Sequence, residues 1–325
     1  MAIALVNASG AKIGGARTIL RQLLRNIPSA GYVVACPNPD ELRPLCPSAE
    51  FVDVQTNGPA SLLFTLFGAA KLARIKGCST IVSLMNFNVL GTDLRRITYF
   101  HQLKAIDGTG PKERLQRRLL KQTNGRDDLI ICQTPYVLSR LQSFGFRGAL
   151  EARWPGFENL VSRDIPKRRL EDKQQLLFLL PSSNLDAYKN VQSVVDRASY
   201  FERIGARVII TGVASAREQG PIQFLPLLPR NELYSLYEEA DALLFPSLLE
   251  TVALPIFEFL GTGKPVFILK SPYTNGLFNR FGNIENLHPY EQDLGLVIDN
   301  WLAQGRPISA PRDDFAIGDW SWLPR

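Results

Sequence analysis

The chain has 325 residues, of which 45% are hydrophobic and 21% charged, and 37 Lys and Arg against 31 Asp and Glu give a net charge of +6. This length suffices for about two domains with cores of their own, and the composition excludes a disordered chain, a collagen and a disulfide-stapled miniprotein. No apolar run approaches the roughly 18 residues of a membrane-spanning helix, and no basic segment precedes the first apolar stretch. We therefore expect a soluble, cytoplasmic protein without a signal peptide.

In the first half of the chain, short β-type runs alternate with helical patterns. The predicted strands are Ala2–Asn7, Tyr32–Cys36, Phe51–Val54, Thr80–Leu84, Ile97–Phe100 and Leu129–Cys132. The predicted helices are Arg17–Asn26, Ala60–Lys76, Lys112–Gln122 and Pro135–Phe144, the last of which has Thr134 as its N-cap. This alternation favours a parallel sheet covered by helices on both faces.

The pattern stops at Trp154–Arg169, where prolines, a glycine and a charge cluster indicate a linker between domains. It resumes with a second alternating series. The strands predicted there are Gln175–Leu180, Arg207–Thr211, Ile222–Phe224, Ala242–Phe245 and Pro265–Leu269. The helices predicted there are Asn190–Ile204, Asn231–Ala240, Pro255–Gly261 and Glu291–Ala303. The sequence thus predicts an α/β protein with two doubly wound domains and a ligand site in the cleft between them.

Neither the cysteines nor the histidines form a metal-binding pattern. The four cysteines show no C-x-x-C pair, and His101 and His288 lie far apart, with His288 expected to pack locally. There is also no D-x-D triplet of the kind that holds a divalent ion. We therefore predict that the protein uses neither a metal ion nor another cofactor.

The positive charge is concentrated in Lys112–Lys121 and Arg163–Arg169. The first of these segments predicts a basic amphipathic helix, which is most simply a solvated surface and alternatively a contact with an anionic membrane. Nucleic acid is not expected as a partner, because no recognition module and no mixture of basic and aromatic residues is present.

Two segments carry residues suited to binding a phosphorylated ligand. Gly10, Gly14 and Gly15 follow the first strand and precede a helix, but the G-x-G-x-x-G and P-loop spacings are absent, so a plain glycine turn is an equal alternative. In Ala240–Leu269, Glu250 lies on a loop after a strand, and Pro255 opens a helix whose first turn is predicted to contain Glu258. Free amides at this helix start would suit a phosphate group.

The Ala240–Leu269 segment resembles the E-x7-E stretch of the family-4 retaining glycosyltransferases, which have the GT-B fold of two Rossmann-like domains facing each other across a cleft. The positions that match the family pattern are Ala240, Asp241, Pro246, Ser247, Glu250, Leu254, Pro255, Glu258, Gly263, Pro265 and Val266. Further resemblance lies in IGGARTIL, in SLMNFN followed by ITYFHQ, in DAYKNVQSVV and in DWSW, so that it extends over nearly the whole chain. The resemblance is to the members that assemble bacterial surface polysaccharides of the O-antigen or capsule type.

The resemblance implies a role for each matched residue. Glu250, Lys189 and His101 would be the catalytic residues, with Glu250 on the donor sugar's hydroxyls and Lys189 on the leaving diphosphate. The remaining donor-binding residues would be Gly14, Gly15, Asn184, Thr251, Val252, Ala253, Leu254 and Glu258, of which Glu258 would bind the nucleotide's ribose. Two positions depart from the family: Asn184 replaces an arginine, and Thr251-Val252-Ala253 replaces G-F-G.

The function implied is a metal-independent, retaining hexosyltransferase that moves a sugar from a nucleotide-sugar to a saccharide or lipid-linked saccharide, in the cytoplasm or at the inner face of the membrane. Residues 1–155 would form the acceptor-side domain, 156–310 the nucleotide-sugar domain, and 311–325 a tail returning to the first domain. The alternative is an inert GT-B module that serves as a partner subunit or binds sugar nucleotides without turnover. A nicotinamide-dependent dehydrogenase is rejected, because it rests on the glycine loop alone.

Overall fold

The computed structural model describes residues 3–12, 14–28, 30–146, 149–158, 175–312 and 314–325, with residues 278 and 279 described by their backbone only. The chain divides into two compact units. The first comprises Met1–Phe157 and Ile317–Arg325, and the second comprises Glu158–Ala316. Most of the predicted linker, residues 159–169, lies outside the described residues, as does the basic segment Arg163–Arg169.

The first unit is built on a seven-stranded parallel sheet in the order β3-β2-β1-β4-β5-β6-β7. Its strands are β1 (Ala4–Asn7), β2 (Tyr32–Cys36), β3 (Glu50–Asp53), β4 (Thr80–Ser83), β5 (Arg95–Phe100), β6 (Leu129–Cys132) and β7 (Ala149–Ala152). The central strands are buried on both faces, which is why they appear in the sequence as short continuous apolar runs. The direction of the strand order reverses between β1 and β4.

Helices cover this sheet. They are α1 (Gly14–Arg25), α2 (Pro59–Leu63), α3 (Ala69–Ile75), α4 (Lys104–Asp107), α5 (Pro111–Asn124) and α6 (Pro135–Phe144), with a π-helical turn at Phe64–Gly68 between α2 and α3. Thr134 caps α6 as predicted, since its side chain accepts a hydrogen bond from the amide of Val137 at 3.3 Å.

The second unit repeats the architecture with the order β10-β11-β9-β8-β12-β13-β14, in which only β10 is antiparallel to its neighbour. Its strands are β8 (Leu176–Leu180), β9 (Ala206–Val213), β10 (Arg217–Gln219), β11 (Ile222–Pro226), β12 (Ala242–Phe245), β13 (Val266–Leu269) and β14 (Leu287–Tyr290). Its helices are α7 (Gln192–Val195), α8 (Ala198–Arg203), α9 (Arg230–Glu239), α10 (Leu254–Leu260), α11 (Pro272–Phe281) and α12 (Leu294–Ala303). Here the order reverses between β8 and β12.

The C-terminal residues pack on the first unit. Trp320 and Leu323 belong to its hydrophobic core, and the Trp320 ring stacks on Tyr99 with 5.8 Å between centroids. The Trp320 Nε1 also donates a hydrogen bond to the carbonyl of Pro155 at 3.1 Å. A second core, in which Trp301 is buried, lies on one face of the other sheet.

The prediction of two doubly wound α/β units is confirmed, whereas several elements differ. The predicted helix Asn190–Ile204 is two short helices, α7 and α8, and Ala60–Lys76 contains the π-helical turn. The strands β7, β10 and β14 were not predicted, and neither were α4 and α11. Three of these are edge strands with few consecutive apolar residues, and β14 contains Pro289, which an edge strand tolerates.

Candidate functional site

The loops of the second unit that carry Lys189 and Glu250 lie at the point where its strand order reverses. Lys189 ends a 3₁₀ turn, Ala187–Lys189, on the connection after β8, and Glu250 lies on the connection after β12. Because β8 and β12 are adjacent parallel strands, these connections leave the same edge of the sheet side by side. Open α/β sheets bind their ligands at such reversal points, outside the carboxyl ends of the strands.

Lys189 and Glu250 form an ion pair, in which the Lys189 Nζ lies 2.6 Å from the Glu250 Oε1. Both side chains are 16% exposed, so the pair is largely shielded but open to a ligand. The hydroxyl of Ser247 donates a second hydrogen bond to the same carboxylate oxygen at 2.9 Å. The structure therefore brings two predicted catalytic residues together, although 61 positions separate them in the sequence.

The two loops are also bound to each other through their backbones. The amide of Leu248 donates to the carbonyl of Tyr188 at 2.8 Å, and the Asn190 side chain donates to the carbonyl of Pro246 at 3.3 Å. Tyr273, on α11, donates its hydroxyl hydrogen to the carbonyl of Ser247 at 3.2 Å. These bonds hold the ammonium and the carboxylate in one place before any ligand is present.

Asn184, at the position where the pattern that this sequence resembles has an arginine, lies on the same connection after β8. Its side-chain oxygen accepts a hydrogen bond from the amide of Asp186 at 3.0 Å, so it stabilises a turn within the loop. Gly212, near the end of β9, packs directly against this loop with a φ of +88°. A β-carbon there would lie 2.4 Å from the carbonyl oxygen of Ser182, so only glycine fits.

The Thr251-Val252-Ala253 segment, where the resembled pattern has G-F-G, is largely buried. Val252 and Ala253 have 2% and 5% of their surface exposed, and Ala253 adopts a left-handed conformation with a φ of +57°. Helix α10 begins immediately afterwards at Leu254, with Pro255 as its second residue. An alanine therefore occupies a backbone conformation that glycine adopts more readily.

Glu258 is the fifth residue of α10, so the prediction that it lies in the first turn is wrong. Its carboxylate is buried and lies 3.3 Å from the Nη2 of Arg230, at the start of α9, and it accepts a hydrogen bond from the hydroxyl of Tyr237 at 3.2 Å. Burial raises the pKa of Glu258, while the Arg230 charge and the hydrogen bonds from Tyr234 and Tyr237 partly lower it.

The first unit has its own reversal point, where the loop after β1 meets the loop after β4. The amide of Gly10 lies 3.0 Å from the sulfur of Met85, which joins the two loops. Gly14 is the first residue of α1 and has a φ of +64°, and Gly15 follows it. A β-carbon at either glycine would meet no described atom within 4 Å.

His101 follows β5 at the same edge of the first sheet. Its amide donates to the side-chain oxygen of Asn86 at 2.7 Å, and the Asn86 amide nitrogen lies 3.5 Å from the ring Nε2. Asn86 has a φ of +63° and is fixed in turn by Asn124, which donates to its carbonyl at 2.8 Å. Burial lowers the pKa of His101 to about 4, so the ring is neutral at physiological pH.

The predicted site residues thus fall into three groups. The first contains Lys189 and Glu250, with Asn184 nearby and residues 251–254 directly after Glu250. The second is Glu258 with Arg230, and the third is the glycine loop and His101 in the first unit. Sequence reasoning missed Arg230, Tyr237 and Asn86 as members of these groups. Arg230 and Tyr237 precede the matched Ala240–Leu269 segment, and Asn86 lies within the matched SLMNFN segment. No local pattern marks them as site residues, because each contact depends on how separate loops or helices pack.

Two kinds of feature are absent from the described part of the chain. No group of three or more His, Cys, Asp and Glu side chains there is arranged to hold a metal ion. No helix there is long and apolar enough to cross a membrane.

Solved structures share this fold over nearly the whole chain. HepE from Anabaena, in complex with UDP-glucose, is 16% identical with a TM-score of 0.67, over 94% of this chain and 91% of HepE. Sucrose-phosphate synthase from Thermosynechococcus elongatus is 16% identical with a TM-score of 0.66, over 94% and 90%. WaaG, a glycosyltransferase of lipopolysaccharide biosynthesis, is 14% identical with a TM-score of 0.63, over 93% and 90%. These likenesses establish the GT-B type of α/β fold.

No protein-family model matches the sequence. A search of curated proteins likewise finds no match.

Proposed function

We propose that this protein is a glycosyltransferase that moves a sugar from a nucleotide-sugar to a saccharide acceptor with retention of configuration. The observation that carries the proposal is the Lys189–Glu250 ion pair at the strand-order reversal of the second unit. An ammonium suits a leaving diphosphate, and a neighbouring carboxylate suits the hydroxyls of the attached sugar. The GT-B fold supports this assignment.

In the proposed reaction, the bond between the anomeric carbon and the diphosphate oxygen breaks as the acceptor hydroxyl attacks from the same face. The hydroxyl proton passes to the leaving phosphate, and Lys189 compensates the charge that develops there. Glu250 is assigned to binding the sugar hydroxyls rather than to attack, and the Ser247 hydroxyl, which donates to its Oε1 at 2.9 Å, holds the carboxylate for this role. Donor binding then requires Lys189 to shift its contact from carboxylate to phosphate.

The other predicted residues complete the donor site in this proposal. Glu258 binds the ribose, and the start of α10, with Thr251, Val252, Ala253 and Leu254, provides backbone groups for the phosphates. Asn184 shapes the loop before Lys189. Gly14, Gly15 and His101, which lie in the first unit, keep the roles that the resemblance implies for them.

A thermal-shift screen against UDP, GDP, ADP and their sugar conjugates tests the proposal, with UDP first because HepE was solved with UDP-glucose. A nucleotide at a hundred times its dissociation constant stabilises a fold by about 2.7 kcal/mol. The proposal expects a shift in the wild type that is strongly reduced in Glu258→Ala, followed by donor hydrolysis or transfer. Arg207→Gln, at an exposed pair with Gln223, is the matched control. Binding without turnover on any acceptor would instead favour the inert module.

The finer assignment is a family-4 type hexosyltransferase of O-antigen or capsule assembly that needs no metal ion or other cofactor. With this assignment, the enzyme is expected to transfer a sugar to a lipid-linked saccharide, and the transfer is expected to continue in the presence of EDTA. An anomeric product of inverted configuration, or activity that depends on an added divalent ion, would contradict it.

Helix α5 supports a peripheral contact with the inner face of an anionic membrane. The exposed basic residues are Lys112, Arg114, Arg118 and Lys121. Leu115, among them, is 60% exposed, which gives the surface an apolar contact as well. Each basic residue near an anionic surface contributes roughly 1 kcal/mol. The wild type is expected to float with phosphatidylglycerol vesicles, and the variant with all four basic residues changed to Gln is expected to stay behind. Equal flotation of the wild type and this variant would refute the contact.

A further inference from the structure

Helix α9 presents three polar groups to the buried carboxylate of Glu258, which lies on α10. Its side chain is only 8% exposed. The described groups that face it are all on α9: the guanidinium of Arg230 and the hydroxyls of Tyr234 and Tyr237. A carboxylate in such an environment favours its neutral form unless a cation and hydrogen-bond donors offset the lost hydration.

Arg230 is held in position by groups other than Glu258. Its Nη2 lies 3.2 Å from the carbonyl oxygen of Glu158 and 3.1 Å from the hydroxyl of Tyr234, over whose ring the guanidinium lies at 5.2 Å. Tyr234 itself donates to the same Glu158 carbonyl at 2.9 Å. These contacts hold the Arg230 guanidinium in place independently of what the carboxylate binds.

We propose that Arg230 is a positioning residue that keeps Glu258 ionised and oriented to accept the ribose hydroxyls of the donor nucleotide. This inference rests on the proposed function, in which Glu258 binds the ribose, and it assigns the residue on which that contact depends. A carboxylate has about four lone-pair sites, and Arg230, Tyr234 and Tyr237 occupy at most three of them, so capacity remains for a ribose hydroxyl. A protonated carboxyl group would lose much of that acceptor capacity.

Removal of the Arg230 charge is expected to raise the pKa of Glu258, because burial then acts with only the two tyrosine hydroxyls to oppose it. As the pH falls through this raised pKa, the carboxylate is protonated and affinity for the ribose is lost. If Arg230 had a purely structural role, its substitution would instead weaken nucleotide binding by the same factor at every pH.

The first test measures UDP affinity by calorimetry from pH 5.5 to 8.5 in wild type, Arg230→Gln, Arg230→Lys and the Arg230→Gln/Glu258→Gln double variant. Because UDP itself titrates equally in each experiment, the ratio of each variant's dissociation constant to that of the wild type is compared. For Arg230→Gln, this ratio is expected to rise by about tenfold per pH unit below the raised pKa. Arg230→Lys is expected to restore the wild-type profile, and the double variant to show a constant ratio.

The second test follows the carboxyl carbon of Glu258 by ¹³C NMR without nucleotide, with Glu258→Gln identifying the resonance. The expected result is a higher titration midpoint in Arg230→Gln than in wild type and in the surface control Arg207→Gln. An unchanged midpoint, or a ratio of dissociation constants that is constant with pH in Arg230→Gln, overturns the role of Arg230. Absence of nucleotide binding by the wild type overturns the proposed function itself.

Discussion

Gly212 offers a quantitative test of how the second unit builds its candidate site. The residue lies near the end of β9 with a φ of +88°, against the loop that leads to Lys189. A β-carbon there would lie 2.4 Å from the carbonyl oxygen of Ser182 and 2.9 Å from the amide nitrogen of Asn184. Both obstacles are backbone atoms, so a substitution must displace the loop or the strand.

The expected effect of Gly212→Ala follows from three contributions. Left-handed strain costs about 1–2 kcal/mol, and overpacking against backbone costs about 1–3 kcal/mol more. The reduced freedom of the unfolded chain returns about 0.5–1 kcal/mol. We therefore expect the free energy of unfolding to fall by about 2–4 kcal/mol, which for a unit of this size lowers the melting temperature by about 5–15 °C.

Gly205 is the matched control, because it has a φ of +65° but a β-carbon there would meet no described atom within 4 Å. Gly205→Ala is expected to lower the melting temperature by only about 1–4 °C. Melting is followed by circular dichroism, and hydrogen exchange of peptides from residues 175–312 assigns the loss to the second unit. Equal shifts in the two variants would refute the argument from close approach. Gly212→Ala is also expected to weaken nucleotide binding, since its clash falls on the donor loop.

Three further predictions concern catalysis, pH and the C-terminal residues. Lys189→Met is expected to lower kcat about 10²- to 10³-fold at saturating donor. The variant lacks the ammonium that compensates the charge of the leaving diphosphate, and Glu250 is left without its cation. An unchanged kcat would contradict the proposed role. Asp127, on the connection between α5 and β6, is buried, accepts a hydrogen bond from Thr98 at 2.6 Å and lies 3.7 Å from Arg96. Burial raises its pKa from 3.8 to about 7 against the opposing effects of these two partners. The folded state therefore binds a proton that the unfolded state has released, and stability is expected to fall as the pH rises from about 4 through 7. Asp127→Asn should flatten this decline in urea titrations, and an undiminished pH dependence would refute it. Trp320→Ala is expected to destabilise the first unit by about 3–5 kcal/mol, because the buried ring that stacks on Tyr99 is lost. A melting temperature within about 2 °C of the wild type would show that the C-terminal residues do not support the core.

The sequence by itself determined the fold class, because strands buried on both faces of a parallel sheet must be continuous apolar runs. Tyr32–Cys36, Leu129–Cys132 and Ala242–Phe245 were predicted with their observed bounds for this reason. The sequence also placed Lys189 and Glu250 on loops after strands, because strand ends and turn residues are local features.

Only the tertiary structure decided which of these residues meet. Lys189 contacts Glu250 because β8 and β12 are neighbours in the sheet, and strand order is not encoded in any local pattern. The pairing of Arg230 with Glu258 likewise depends on the packing of α9 against α10 across 28 positions. The edge strand β14 escaped prediction because its stability comes from hydrogen bonds to β13 rather than from an apolar run of its own.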